Sequence, residues 1–189
     1  VFGMRKLMSG MVFAAIALSL PAAALAQRRA AGGTTHEFGV DIGVAYVSPN
    51  TDGIDGGISL ITPFDVRYGF VPRSGDIMWE PRVGLNFTTV GGETQYLFTP
   101  QMNVLYANSP GGHRRGMYFT GGAGLVLGEG PAGSGTAIKL EGGLGWRKPY
   151  GSAAWRYEVG FQYVSESAEL GTFADYIAIG GRIGISLWH

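Results

Sequence analysis

Cysteine is absent from the 189 residues, so neither a disulfide framework nor a thiolate metal site can be built from this chain. Histidine is scarce and scattered, at His36, His113 and His189; none falls within a strand pattern beside a serine, which removes the usual nucleophile and base arrangement. Neither sign of charge is in surplus. Lys plus Arg and Asp plus Glu each number 14, so the basic footprint of a nucleic-acid-binding protein is missing. Beyond the first 26 residues no apolar run approaches the ~20 residues that a spanning helix needs. No cofactor, metal or nucleic-acid partner is therefore expected.

Glycine, by contrast, is abundant at 33 residues, without the period of three that a collagen helix requires. The compartment is read from the start of the chain. Arg5 and Lys6 form a basic n-region, Met11 to Leu20 an apolar h-region, and Pro21 ends it; Ala24-Leu25-Ala26 then supplies small residues for cleavage before Gln27. Residues 1–26 are thus expected to be a cleaved signal peptide, 27–35 a flexible N-terminal segment and 36–189 one exported domain.

From His36 onward the residues alternate with a period of two, the mark of strands with two unlike faces. Phe38, Val40, Ile42, Val44 and Tyr46 share one face; Glu37, Gly39, Asp41, Gly43 and Ala45 share the other. The same code recurs in about eight segments, separated by turn-rich stretches at 49–57, 71–76, 91–92, 108–116 and 149–151. The segment from 117 to 127 is the weakest, because Gly121, Gly122 and Gly124 blunt both of its faces. Pro63, Pro81 and Pro100 fall inside strand patterns, where each removes a ladder donor and so marks a bulge or a membrane boundary. About eight strands with short connections imply an all-β, up-and-down antiparallel barrel.

Alternation alone does not say which face is outside. The apolar face is crowded with Phe, Tyr, Trp, Ile and Leu, too much volume for a narrow eight-stranded interior, whereas the other face holds glycine, amides and charges. Aromatic residues also gather near the strand ends: Tyr68, Trp79, Tyr106, Trp146 and Trp155 at one level, Tyr46, Tyr96 and Tyr163 at the other. Two such girdles flank the lipid-facing band of a transmembrane barrel. The barrel is therefore expected to span the bacterial outer membrane, with lipid as its first partner.

The chain after His36 resembles the small OmpA/OmpX-type and opacity-type outer-membrane barrels. The most specific element is the terminal strand, in which Arg182, Gly184, Leu187 and Trp188 resemble the family's assembly signal, although the chain runs on to His189 where the family ends on an aromatic. The resemblance implies recognition by the outer-membrane assembly machinery and loops open to a surface ligand.

The inward face then carries six acidic residues, Glu37, Asp41, Asp65, Glu80, Glu141 and Glu158, and six basic ones, Arg67, Arg82, Lys139, Arg147, Arg156 and Arg182. Charges confined in a narrow lumen need partners, so a network of ion pairs filling the barrel is expected. A hairpin centred near Arg73 and Ser74 would set Arg67 opposite Glu80 and Asp65 opposite Arg82. A narrow pore is the alternative reading, and a lipid-modifying enzyme a third.

Four further stretches are read as structural. Gly121-Gly122-Ala123-Gly124 and Gly142-Gly143-Leu144-Gly145 open no helix and so lack the amide cradle of a phosphate loop; they are expected to be wall glycines beside lumen arginines. Asn50 to Asp55 clusters oxygens without the spacing of a calcium loop. His113-Arg114-Arg115 is expected to be a solvated turn near anionic headgroups.

Overall fold

A computed structural model describes residues 35–50, 56–72, 76–90, 93–107, 112–130, 133–166 and 175–189. The expected signal peptide, the segment before Thr35, most of the Asn50–Asp55 turn and the Gly91-Gly92 turn lie outside them. The strands are β1 (Thr35–Pro49), β2 (Gly57–Val71), β3 (Ile77–Val90), β4 (Glu93–Ala107), β5 (Gly116–Gly130), β6 (Gly133–Tyr150), β7 (Ala153–Val164) and β8 (Tyr176–Trp188). Each pairs antiparallel with the next, and β8 returns to β1, closing the barrel in the order β1 to β8. With 12 residues in β7 and 18 in β6, even the shortest exceeds the 9–11 residues that a tilted strand needs to cross a bilayer.

Closure removes every sheet edge, and this is what makes such a barrel tolerable in lipid. Connections β2–β3, β4–β5 and β6–β7 leave from one end, called the turn end here; β1–β2, β3–β4, β5–β6 and β7–β8 leave from the other, the loop end. At the turn end β6 and β7 are joined by Gly151 and Ser152 alone, and Gly151 takes φ +61°, a left-handed value that a side chain would resist. The glycine-blunted segment forms a full 15-residue strand, β5. Its weak side-chain pattern is offset by an unbroken ladder to β6 and a ladder to β4 with a single gap.

All three strand prolines lie where a ladder is interrupted. Between the pairs Asp41↔Asp65 and Gly43↔Ile61, β2 spends three residues, Pro63 in the middle, against one in β1. Pro81 falls between the β2–β3 pairs Arg67↔Arg82 and Phe70↔Trp79, and Pro100 between the β4–β5 pairs Phe98↔Leu127 and Gln101↔Gly124. A residue with no N–H costs least at such gaps.

One expected register is overturned. Arg67 stands opposite Arg82, not Glu80, and Asp65 opposite Gly84, not Arg82. The hairpin is therefore slipped by two residues from the pairing that a turn at Arg73-Ser74 gives. A two-residue slip returns each side chain to its own face, so the inward assignment survives while the partners change.

Candidate functional site: the barrel lumen

The outer wall is apolar. Val40, Ile42, Val44, Leu140, Val159 and Ile179 each expose between 44% and 65% of their surface. The turn-end girdle residues Tyr68, Trp79, Tyr106, Trp146 and Trp155 are exposed, as are Tyr46 and Tyr96 toward the loop end; Tyr163 is half-buried. Tyr150, 76% exposed, was not foreseen and belongs to the turn-end belt.

The interior is the reverse. Eleven of the twelve expected lumen charges are buried, and the side chain of Arg182 is 10% exposed. They form one connected body. Glu37 accepts hydrogen bonds from Arg67, from Arg147 Nη2 at 2.6 Å and from Ser186 Oγ at 2.5 Å. Asp41, on the same strand, takes Arg67 Nε at 2.7 Å. Glu80 is gripped by Arg156 and by Arg82 Nη2 at 2.7 Å. Glu158 accepts from Arg156 Nη2 at 2.6 Å, Arg182 Nη1 at 3.0 Å and the Tyr118 hydroxyl at 3.0 Å. Glu141 accepts from Arg182 Nη2 at 2.9 Å and Asn103 Nδ2 at 2.7 Å, and Lys139 lies 3.1 Å from it while donating to Gln101 at 2.6 Å.

Asp65 is the loosest member. Its contacts to Arg82 and Arg182 are 3.7 and 3.9 Å long, and its Oδ1 has no hydrogen-bond partner. The expected Arg67–Glu80 pair does not form directly: Arg67 serves Glu37 and Asp41, and Arg156 serves Glu80. The slipped register is the reason.

Several glycines are the negative of this network. A Cβ at Gly39 would run into the Arg67 guanidinium, and one at Gly184 into the Asp41 carboxylate. In the two glycine-rich runs the inward residues make room for side chains other than arginine: Gly122 for Asn103, Gly124 for Gln101 and Gly145 for the Tyr118 ring. Gly143 lies against the backbone of Val159 and Gly160, and the outward Gly142 lies under the Phe161 ring. The expectation of arginine neighbours fails for these runs because amides and a tyrosine fill the space instead.

Two apolar clusters inside the barrel escaped the sequence reading. At the turn end Val71, Met78, Leu105 and Tyr118 pack together with Trp188 against them. At the loop end Val126, Ala137 and Val164 pack with Leu97 and Tyr176. The signal was present. Met78 and Leu105 sit two residues from Glu80 and Asn103, hence on the same face, but an isolated apolar residue in a polar stripe carries little weight beside the alternation around it.

Of the terminal-strand residues, Arg182 belongs to the network, Gly184 accommodates Asp41 and Leu187 faces outward at 49% exposure. Trp188 packs inward, where its ring completes a stack of alternating cations and aromatic rings. Arg114 lies 5.7 Å and Arg147 5.4 Å from the Trp188 ring centre; Arg147 lies 4.4 Å and Arg156 5.0 Å from that of Tyr118. Each contact of this kind contributes about 0.5–2 kcal/mol, more when desolvated. At the same end the His113 ring is buried in the single-turn helix Gly112–Arg114; burial, aided by Arg147, pushes its pKa down to about 4.

A closed eight-stranded barrel, apolar without and ion-paired within, has the architecture of a lipid-spanning barrel. The chain matches no protein-family model and no curated protein sequence. Among solved structures it is similar to Neisserial surface protein A, with 10% identity over 82% of this chain and 99% of the other at a TM-score of 0.53. It is similar also to Ail, the attachment invasion locus protein of Yersinia pestis, with 11% identity over 84% of this chain and all of the other at a TM-score of 0.50. Both are eight-stranded outer-membrane barrels, and the fold here is theirs.

Proposed function

We propose that this chain is an outer-membrane protein with a structural or surface-interaction role, whose barrel is a closed scaffold for its loops. The observation that carries this reading is the filled lumen: twelve balanced charges, paired with one another, lie between an apolar cluster toward the turn end and another toward the loop end. A pore needs a continuous wet path, and an apolar constriction resists wetting. The ion pairs thus act as a polar core, and the aromatic girdles and apolar wall act toward lipid.

The four lumen glutamates speak against a catalytic role, because all are engaged by donors. Glu37, Glu80, Glu141 and Glu158 each accept from at least two cationic or polar donors, which engages them as ion-pair partners within the wall. A surface-interaction role is in keeping with the names of the two structural neighbours, which speak of a surface protein and of attachment. Recognition of the terminal strand by the assembly machinery, and of an unknown ligand by the loops, belong to the same proposal.

The test is electrical. The refolded barrel should shift mobility between unboiled and boiled gels, fractionate with the outer membrane and leave a planar bilayer silent. A steady unitary current would replace the scaffold with a pore; a soluble, unshifted protein would remove the membrane reading altogether.

A further inference from the structure

The β4–β5 connection reaches across the turn-end mouth of the barrel. In a ring closed in the order β1 to β8, the seam between β8 and β1 lies diametrically opposite the seam between β4 and β5. Arg114 belongs to the β4–β5 connection, yet its guanidinium lies 5.7 Å from the ring centre of Trp188, the last residue of β8. Arg147, from within the lumen, lies 5.4 Å from the same ring. The other turn-end connections are shorter: five residues between β2 and β3 and two between β6 and β7, against eight between β4 and β5.

The crossing is pinned by a titratable ring. His113 is only 4% exposed although it lies in a connection, while Arg114 and Arg115 beside it are exposed. The groups that act on the ring come from three other elements: Arg147 of β6, Glu37 of β1, and Asp76 of the β2–β3 connection through its main chain and its carboxylate. From the ends of β4 and β5 the inward residues are the paired Ala107 and Tyr118. His189 follows Trp188 in the chain. An imidazolium at His113 would stand beside Arg147 with little water to solvate it.

We infer that residues 112–114 form a lid over the turn-end mouth, closed by the neutral His113 ring set into the barrel and by Arg114 over Trp188, and released when His113 takes up a proton. Release carries His113 and Arg114 into solvent and strips the outer cover from Trp188. The turn-end face of the network, Arg147 with Glu37, then meets water, and the strands keep their ladders. The sign follows from burial. The closed ring binds its proton only near pH 4, the solvated ring near ~6.5. Closure is therefore complete above about pH 6.5 and is lost as pH falls toward 4, the closed-to-open ratio changing by about 300-fold over that range.

The experiment uses the full chain, folded in zwitterionic micelles and labelled with fluorotryptophan, whose fluorine resonance reports the exposure of each ring to water. W188F assigns one of the four tryptophan signals to Trp188. Between about pH 7 and pH 4, Trp188 alone should gain the solvent isotope shift of an exposed ring, while Trp79, Trp146 and Trp155 hold their positions. H113Q should keep Trp188 covered over the whole range, and H113F is the second neutral variant if the first does not fold. R114Q, which weakens closure without removing the titrating ring, should move the opening to higher pH. D76N and H189Q should leave the transition in place. A Trp188 signal indifferent to pH in the unaltered chain would overturn the lid, as would joint movement of all four signals, the mark of whole-barrel unfolding. A transition that survives in the His113 variants, or vanishes in D76N or H189Q, would overturn His113 as its trigger.

Discussion

The two halves of the lumen are built by different means. In the turn half, large side chains lie over glycines and cross-link: Tyr118 over Gly145, Met78 over Gly69, and Arg147 between the rings of Tyr118 and Trp188. In the loop half one stretch of the inner wall is made of small residues. Ala45, Gly160, Ala178 and Gly180 border a void of about 20 Å3 above Glu141, Glu158 and Arg182, room for a water or two. The Thr120 hydroxyl on its wall has no hydrogen-bond partner. The difference teaches that the tightest interior packing lies toward the turns.

The largest expected effect tests that concentration. Glu80 is fully buried and shared by Arg156 and Arg82. E80Q should destabilise the folded barrel by about 3–5 kcal/mol, the cost of leaving buried charge uncompensated. D65N, which removes only contacts of 3.7 Å and longer, should cost about 1 kcal/mol or less. Urea unfolding in lipid or detergent measures both, and equal losses would erase the distinction between a tight half and a loose one.

A smaller effect comes from packing alone. G145A drives a methyl group into the Tyr118 ring and should cost about 1–3 kcal/mol; no measurable loss would mean that the turn half is looser than its contacts suggest. The third test is one of pH. His113 is held near 4 in the folded barrel, below the ~6.5 of an unfolded histidine. The unfolded state therefore binds the extra proton first, and the stabilisation, complete above about pH 6.5, is lost as pH falls toward 4, by about 1.4 kcal/mol per unit of separation. H113Q should flatten this part of the stability profile; an unchanged slope would remove His113 as its source. The smallest effect belongs to the loop half. T120V deletes a buried hydroxyl that has no partner and should be neutral or stabilising by up to about 1 kcal/mol, whereas a loss above 1 kcal/mol would show a hydrogen-bonded water in the void.

How far these halves could be read in the sequence follows from the period of a strand. Strand number, limits and faces were legible because a one-residue error exchanges inside and outside: β1 through Phe38–Tyr46 and β7 through Trp155–Tyr163 alternate with scarcely a fault. Register was not legible to the same degree. A slip of two leaves every face unchanged, and so Arg67 could be placed in the lumen but not beside Asp41 and Glu37. The apolar clusters toward the two ends were hidden for another reason. Val71, Met78, Leu105 and Val126 are single apolar residues among polar or small ones, and only the curved sheet brings the first three into a quartet with Tyr118 and the last into a trio with Ala137 and Val164.

The equality of six anions and six cations within the wall has an electrical consequence. A potential across a membrane does about 2.3 kcal/mol of work on each elementary charge carried through 100 mV, the work that drives arginine-bearing helices in voltage sensors. The lumen network, moved as a body, carries no net charge. Only tearing anions from cations would let the field act, and the contacts below 3 Å that hold Glu37, Glu80 and Glu158 to their arginines oppose it. A barrel so filled is full of ions and yet blind to voltage.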